Sequence, residues 1–316
     1  MHLTQNNFPI TSKLKVLIVG ASGFLGREIY KTFKKDLSFQ TFGTAKNRCG
    51  QELLYLNLLD TQGIVSIFNA VSPDFLIYCA AQKDLVLAEK EPEITLRLNA
   101  TAVEELAALC QNAHTRFLYL STDYVFDGTT PPYKPNSKTN PTNYYGKTKL
   151  LGEQYTLKNN NKHCVLRLPL LYGPVKHLNE SWITSIINPL LSTKIIACDN
   201  HSIRFPTLTN DVAQVCLTLL KKMNCTENFN GIYHWSSNTA YTKYEIALEL
   251  AAILNIKDHL IVISDEITKS PYNCQLDCSD LKSFISIQTP LVQGLKSLLS
   301  DLDKNFGLLA AHHLHF

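Results

Sequence analysis

The sequence predicts an α/β protein built on one doubly wound parallel sheet, and two observations support this prediction. Short apolar runs alternate with stretches of helical periodicity through the first half of the chain. The first apolar run ends directly in a glycine-rich turn that opens a helical stretch. Strands that alternate with helices in this way pair in parallel through right-handed crossovers. We predict strands at residues 14–19, 39–44, 75–79, 117–121 and 164–168, and helices at residues 24–33, 93–112 and 144–157.

The second half of the chain has a less regular pattern. Proline, asparagine, threonine and histidine interrupt residues 174–206, and helical patterns follow at residues 211–222 and 244–256. A short apolar run at residues 231–235 predicts a further strand between them. We therefore predict two domains by length and pattern, and the second is partly interleaved with the first. Residues 1–173 form the domain that bears the sheet, and residues 174–316 form a smaller mixed α/β domain.

Composition excludes several classes of function. The net charge of +3 on 316 residues is too small to favour nucleic acid or an anionic membrane as a partner. No apolar run reaches the ~18 residues that a membrane-spanning helix needs. The nine cysteines form no CxxC pair, and no cluster with histidine predicts a metal site. The composition therefore predicts a cytoplasmic protein with reduced thiols and no bound metal.

The glycine turn after the first strand has the spacing GxxGxxG. A pyrophosphate can approach main-chain N–H groups at a helix N-terminus only where side chains do not block it. An ordinary glycine-bearing turn is the alternative, but the position between an apolar strand and an amphipathic helix favours a Rossmann-type dinucleotide site. The predicted contacts in this turn are Gly20, Ser22, Gly23, Phe24, Leu25 and Gly26.

Two cations after the second strand indicate which dinucleotide binds. NAD sites place an Asp or Glu there to accept hydrogen bonds from the ribose hydroxyls. This chain has Lys46 and Arg48 and no acidic residue in that region. Both cations attract a 2′-phosphate, so the predicted cofactor is NADP(H). The alternative is two solvated cations on a surface loop.

A tyrosine and a lysine share one face of the predicted helix at residues 144–157. Tyr145 and Lys149 are four residues apart, and a neighbouring ammonium group lowers the pKa of a phenol. Upstream, Ser121, Thr122 and Asp123 stand at the end of a predicted strand, where open parallel sheets bind ligands. A hydroxyl there can orient and polarise a substrate carbonyl for hydride attack. The order of glycine turn, Ser/Thr strand end and YxxxK predicts hydride-transfer chemistry.

These motifs resemble the extended short-chain dehydrogenases/reductases, and among them the dTDP-4-dehydrorhamnose reductase family. The resemblance rests on STDYVFDG from Ser121, NPTNYYGKTKLLGE from Asn140, and the run Cys79-Ala80-Ala81. It implies that Thr122 orients a sugar ketone, Tyr145 donates the proton, and Lys149 binds the nicotinamide ribose and tunes Tyr145. It further implies that Asn99 supports the site through water. The remaining implied contacts are Asn57, Leu58, Cys79, Ala80, Ala81 and also Tyr145 for the cofactor, and Ser121, Asp123 and Arg204 for the substrate.

Two positions depart from the reductase pattern. The tryptophan that walls the sugar pocket in that family is Leu170, and a later arginine-proline pair is Ser270-Pro271. Other segments resemble the family of regulatory beta subunits of methionine adenosyltransferase, whose members bind NADP and pair with a catalytic subunit. They are Arg167–Gly173, Arg204–Thr207, Tyr233–Ser236, Thr242–Glu245 and Gln275–Cys278.

Two functions therefore remain open from the sequence. The first is an NADPH-dependent reductase of a 4-keto-6-deoxy nucleotide sugar, as in dTDP-L-rhamnose biosynthesis. The second is an NADP-binding regulatory subunit that partners a methionine adenosyltransferase catalytic subunit. A homodimer is an open alternative for either function. We rank the reductase first, because its chemical residues are complete.

Overall fold

A seven-stranded, fully parallel sheet forms the centre of the computed structural model, which describes residues 13–47, 49–158, 162–192, 194–264 and 270–307. The strand order is β10-β6-β5-β4-β1-β2-β3. Successive strands are therefore added on one side of β1 first and then on the other, and the strand order reverses between β1 and β4. The predicted doubly wound α/β fold is confirmed. The strands are β1 Leu14–Val19, β2 Phe39–Ala45, β3 Leu54–Tyr55, β4 Phe75–Tyr78, β5 Arg116–Thr122, β6 Cys164–Leu168, β7 Leu171–Tyr172, β8 Ile196–Cys198, β9 Thr207–Leu208, β10 Gly231–His234 and β11 Ile261–Ile263.

Helices cover both faces of this sheet. Side chains alternate along β1, so that Val16 and Ile18 pack towards α1 and α9, whereas Leu17 and Val19 pack towards α2 and α5. Each face of the sheet is thus covered by its own apolar cluster. Burial on both faces explains why the strands appear in the sequence as continuous apolar runs. The helices are α1 Phe24–Lys35, α2 Thr61–Val71, α3 Leu85–Lys90, α4 Pro92–Leu96, α5 Ala102–Asn112, α6 Tyr144–Leu157, α7 Trp182–Ser185, α8 Ile187–Leu191, α9 Thr209–Cys225, α10 Lys243–Ile253, α11 Ser279–Lys282 and α12 Leu291–Phe306.

The helix predicted at residues 93–112 is interrupted in the structure. It consists of α4 and α5, separated by a π-helical turn at Arg97–Thr101. Buried Asn99 lies within this turn and hydrogen-bonds two other segments of the chain. A single π-turn inserts one extra residue into a helix, and here it places the Asn99 amide where those partners can reach it.

A third apolar cluster lies outside the sheet and is built from α7, α8, α10 and α12. It carries a two-stranded parallel pair of β8 and β11, and β7 pairs with β9. Two elements from this half of the chain, α9 and β10, pack on or extend the main sheet. The domain boundary between residues 173 and 174 stays a prediction. Among the described residues, no helix is both long and apolar enough to cross a membrane.

Candidate active site

The glycine turn lies at the carboxyl end of β1, where α1 begins. Gly20 has a φ of +84°, and a side chain at this position would come within 2.8 Å of the Ala80 backbone nitrogen. A side chain at Gly26 would collide with the carbonyl oxygen of Gly20. Glycine is therefore required at both positions, because the turn packs against the segment after β4 at Gly20 and against the first turn of α1 at Gly26.

The start of α1 suits a bound anion. Its N-cap residue is Gly23, no side chain caps the first turn, and that turn contains no acidic residue. The first-turn N–H groups of a helix have no intrahelical partner and lie at the positive end of the helix dipole. The turn that contains Ser22, Phe24 and Leu25 therefore fits the pyrophosphate of a dinucleotide.

The other predicted cofactor contacts follow neighbouring strands at the same edge of the sheet. Lys46 is exposed in the bend directly after β2, whereas Arg48 lies outside the described residues. Asn57 and Leu58 follow β3, and residues 79–81 follow β4. The sheet therefore brings together the described members of this set, but their contacts with a cofactor stay predictions.

Asn99 joins the segment after β4 to helix α6. Its side-chain nitrogen donates to the Gln82 carbonyl at 3.1 Å and to the Thr148 hydroxyl at 3.0 Å, and its side-chain oxygen accepts from the Gln82 amide at 2.9 Å. Its own carbonyl accepts from the Tyr119 hydroxyl at 2.9 Å. The residue is fully buried, so it fixes the position of α6 relative to β4 and β5.

Thr122 and Tyr145 meet at the carboxyl end of β5. The Thr122 hydroxyl donates to the Asp123 carboxylate at 3.2 Å and is a neighbour of the Tyr145 phenol. Burial raises the pKa of Tyr145 well above its ordinary value, and the nearby Thr122 side chain opposes the rise. The ring of Tyr124 packs edge-on against Tyr145, with 6.2 Å between the ring centres. The structure therefore brings the side chains of Thr122 and Tyr145 together, and their predicted roles towards a substrate stay predictions.

Lys149 lies one helical turn after Tyr145 and is buried. Its ammonium group donates to the Leu120 carbonyl at 2.6 Å and stands 4.0 Å from the centre of the Tyr119 ring. Burial lowers the pKa of Lys149 to about 7, although Glu153 opposes this shift. The sequence led us to expect that Lys149 would lower the pKa of Tyr145. In the structure burial of the phenol dominates instead, because burial disfavours the charged form.

Ser121 contacts a buried ion pair that sequence reasoning missed. Glu153 on α6 and Arg167 on β6 pair through two hydrogen bonds of 2.9 and 2.7 Å, and each side chain is 2% exposed. The Ser121 hydroxyl donates to the same carboxylate at 2.5 Å. Its predicted contact with substrate stays a prediction. An arginine inside an otherwise apolar strand was the signal that could have revealed this pair.

Asp123 and Arg204 lie beside the two hydroxyls. Burial raises the pKa of Asp123 to about 7, and the nearby guanidinium group of Arg204 limits this rise. Arg204 is buried rather than on the surface, and it donates to the carbonyls of Ile203 at 2.7 Å and Pro271 at 3.0 Å. One of its terminal nitrogens has no hydrogen-bond partner among the described residues. This guanidinium therefore retains donor capacity beside the site.

The fold and the site together define a class of protein. An all-parallel Rossmann-type sheet carries a glycine turn after β1, a Ser/Thr strand end on β5 and the Tyr-x-x-x-Lys pair on α6. This combination is that of the extended short-chain dehydrogenases/reductases.

Comparison with known proteins specifies the family. The chain belongs to the family described as the RmlD substrate binding domain, which matches residues 14–303. It is 41% identical to methionine adenosyltransferase 2 subunit beta of Xenopus tropicalis, over 95% of this chain and 91% of that protein.

Solved structures of reductases share the fold over most of the chain. A hypothetical dTDP-4-dehydrorhamnose reductase from Sulfolobus tokodaii is 26% identical with a TM-score of 0.79, covering 89% of this chain and 99% of that one. The dTDP-4-dehydrorhamnose reductase of Bacillus anthracis, solved in complex with NADP, is 23% identical with a TM-score of 0.79, covering 92% and 99%. The predicted family resemblance is therefore confirmed.

The Glu153–Arg167 pair gives a stability prediction. We expect Arg167→Met to lower the free energy of unfolding by about 3–5 kcal/mol, because it leaves the Glu153 carboxylate buried without its partner. Urea unfolding followed by circular dichroism measures the change. The matched control is Arg97→Met, since Arg97 pairs with Glu105 at 2.6 Å with both side chains partly exposed. That change is expected to cost about 0–1 kcal/mol, and equal losses in the two variants would contradict the prediction.

Proposed function

We propose that this protein is an NADPH-dependent reductase that acts on the ketone of a 4-keto-6-deoxy nucleotide sugar. The observation that carries this proposal is that Thr122, at the end of β5, neighbours Tyr145 on α6, with Lys149 one turn further along the same helix. Two hydroxyls beside a single position can orient a carbonyl oxygen and protonate it. The similarity to dTDP-4-dehydrorhamnose reductases supports the substrate class.

The glycine turn and the cations after β2 support NADP(H) as the cofactor. The uncapped first turn of α1 would receive the pyrophosphate, and Lys46 with Arg48 would attract the 2′-phosphate. Asn57, Leu58 and residues 79–81 follow the adjacent strands and would line the adenosine side of the crevice. NADPH would supply a hydride to the keto carbon of the substrate.

The protein's own residues account for the proton. Tyr145 would donate its phenolic proton to the substrate oxygen as the hydride arrives at the carbon, so that the ketone becomes an alcohol. Thr122 would hold that oxygen, and Lys149 would bind the nicotinamide ribose. Asn99 would hold α6, which carries Tyr145 and Lys149, in position against β4 and β5 through its hydrogen bonds to Gln82 and Thr148. General acid catalysis of this kind contributes roughly 10²–10⁴ in rate.

Asp123 and Arg204 support a polar, partly anionic substrate. Asp123 would accept or donate hydrogen bonds to sugar hydroxyls, since its pKa of about 7 leaves both protonation states accessible at neutral pH. Arg204 would offer its remaining N–H donors to a substrate phosphate. Ser121 is the third predicted contact, although its hydroxyl is engaged by Glu153. A cytoplasmic location and a homodimer are part of the same proposal.

A second function is favoured by two observations. The relative from Xenopus tropicalis is a methionine adenosyltransferase 2 subunit beta, and the 41% identity extends over nearly the whole of both chains. The substitution of Leu170 for the tryptophan of the reductase pattern supports the same alternative. In this case the protein would bind NADP and regulate a methionine adenosyltransferase catalytic subunit, with little or no turnover of its own.

The reductase proposal predicts a specific loss in a tyrosine variant. Purified protein should oxidise NADPH in the presence of dTDP-4-dehydro-6-deoxy-L-mannose, and Tyr145→Phe should lower kcat roughly 10²–10⁴-fold because the general acid is lost. Affinity for NADPH should persist. Tyr144→Phe is the matched control, since its hydroxyl donates to the Pro92 carbonyl at 3.3 Å, away from Thr122 and Lys149. Absence of turnover in the unmodified protein, or an undiminished rate in Tyr145→Phe, would refute the reductase.

The cofactor proposal predicts a preference for NADPH over NADH that is lost when the two cations after β2 are removed. NADPH should bind roughly ten- to a hundredfold more tightly than NADH, as expected for charge-assisted hydrogen bonds to the 2′-phosphate. The double variant Lys46→Ala/Arg48→Ala should bind both with similar affinity in calorimetric titrations. The control is Lys34→Ala/Lys35→Ala, which removes the same charge from exposed positions at the far end of α1. Equal affinities in the unmodified protein would contradict the proposal.

Co-purification tests the second function. If the protein regulates a methionine adenosyltransferase, it should form a stable complex with a catalytic subunit of that enzyme and alter its kinetics. Size-exclusion chromatography of the mixture and an assay of S-adenosylmethionine synthesis measure both effects. Separate elution together with unchanged kinetics would exclude the regulatory role.

A further inference from the structure

Arg27 and Glu180 form a two-point ion pair between the glycine-turn helix and a distant segment of the chain. Arg27 lies near the start of α1, and Glu180 ends a short 3₁₀ turn, Leu178–Glu180. Both hydrogen bonds between guanidinium and carboxylate measure 2.7 Å, and each side chain is only 10% exposed. Paired parallel hydrogen bonds between arginine and a carboxylate are among the stronger and more directional contacts in proteins.

The same guanidinium group contacts the cofactor turn itself. Arg27 donates to the Ser22 carbonyl at 3.1 Å and, more weakly, to the Pro174 carbonyl at 3.4 Å. One side chain therefore holds the glycine turn and both ends of residues 174–180. We refer to residues 174–180 as the strap.

Glu180 is held from two further directions. Its carboxylate accepts from the Lys176 amide at 2.8 Å, and its backbone carbonyl accepts from the Lys83 ammonium at 2.7 Å. Lys83 also stands 5.0 Å from the centre of the Phe24 ring, which belongs to the glycine turn. Burial alone would raise the pKa of Glu180, but the hydrogen bonds from Arg27 and Lys176 outweigh it and hold the pKa at about 2. The carboxylate is therefore ionised at neutral pH.

The contacts of the strap show where it lies. Residues 169–173 carry the chain from the end of β6 to the start of α1, because Pro174 already contacts Arg27. Glu180 contacts both Arg27, on the helix that follows β1, and Lys83, in the segment that follows β4. The strap therefore lies at the carboxyl ends of β1 and β4, the two strands between which the strand order reverses. In an open parallel sheet, a dinucleotide lies in the crevice at this edge, on either side of the point where the strand order reverses.

We propose that the Arg27–Glu180 pair is a latch that holds the strap across the dinucleotide crevice and sets the rate at which the cofactor leaves. This inference rests on the proposed cofactor site, but not on the proposed substrate or on turnover. Arg27 and Glu180 are positioning residues, since they act through the strap and the glycine turn. Opening of the latch would free residues 174–180 from the glycine turn, where the dinucleotide would be held.

Dissociation kinetics test the latch. NADPH bound to the protein is displaced by excess NADP⁺ in a stopped-flow instrument, and the change in NADPH fluorescence gives koff. Glu180→Gln and Arg27→Met should each raise koff by about tenfold or more, which corresponds to about 1.4 kcal/mol for each factor of ten. The double variant should be no faster than the faster single variant, because both changes remove the same contact. Lys31→Met is the matched control, since Lys31 pairs on the same helix with Glu28 at 2.8 Å and is exposed.

The affinity for a fragment of the cofactor distinguishes a positioning role of Arg27 and Glu180 from general destabilisation of the protein. Adenosine 2′,5′-bisphosphate carries only the adenosine end of the cofactor, so its affinity should be unchanged in Glu180→Gln. A loss of structure would weaken fragment and dinucleotide alike, and would count against the latch. Lys83→Met leaves the Arg27–Glu180 pair in place while it removes the hydrogen bond to the Glu180 carbonyl and the contact with the Phe24 ring, and it should raise koff by a smaller factor. It provides a milder variant if the larger changes impair folding.

Several outcomes would overturn the inference. If only Arg27→Met accelerates release and Glu180→Gln slows it, then Arg27 contacts the pyrophosphate directly and no latch exists. Unchanged koff in all of the variants would exclude any role of the strap in cofactor release. If the unmodified protein does not bind NADPH at all, the proposed cofactor site and the latch both fail. Binding without turnover refutes only the reductase.

Discussion

The parallel direction of all seven strands is the constraint on which the rest of the molecule depends. Because every strand runs the same way, every carboxyl end lies at one edge of the sheet, and the polar residues that follow the strands collect there. Gly20 follows β1, Ala80 follows β4, and Thr122 ends β5. The close approach of Gly20 to Ala80 shows how tightly this edge is packed. Residues from widely separated parts of the chain therefore meet at one edge of the sheet.

Buried polar groups hold that edge in place. Asn99 connects the segment after β4 with α6, and the Glu153–Arg167 pair connects α6 with β6. Each of these groups is almost fully buried, and each is satisfied by more than one partner. Such networks are costly to disturb, because a group left without its partner in a low-dielectric interior loses its solvation without compensation. They place Tyr145 beside Thr122, which is the geometry that the proposed chemistry requires.

The sequence predicted those parts of the structure that depend on local patterns. The apolar runs of the central strands, the glycine turn and the helix that carries Tyr145 and Lys149 are all evident from neighbouring residues. The π-turn around Asn99 was missed, since it is stabilised by Gln82 and Thr148, which lie far from it in the sequence. The contact between Arg27 and Glu180 was missed for the same reason. Helix α12 was also missed, although its buried leucines recur at helical spacing within the segment itself. The low pKa of Lys149 and the raised pKa of Tyr145 also follow from burial, which the sequence pattern does not specify.

Both candidate functions need a dinucleotide at the carboxyl edge of the sheet, so its location is the central claim. Hydrogen–deuterium exchange measured with and without NADPH locates it directly. We expect slower exchange on addition of NADPH in residues 20–26, 79–82 and 145–149, with no change in α12, which packs in the separate apolar cluster. Slowed exchange confined to other segments, or no change at saturating NADPH, would contradict the proposed site.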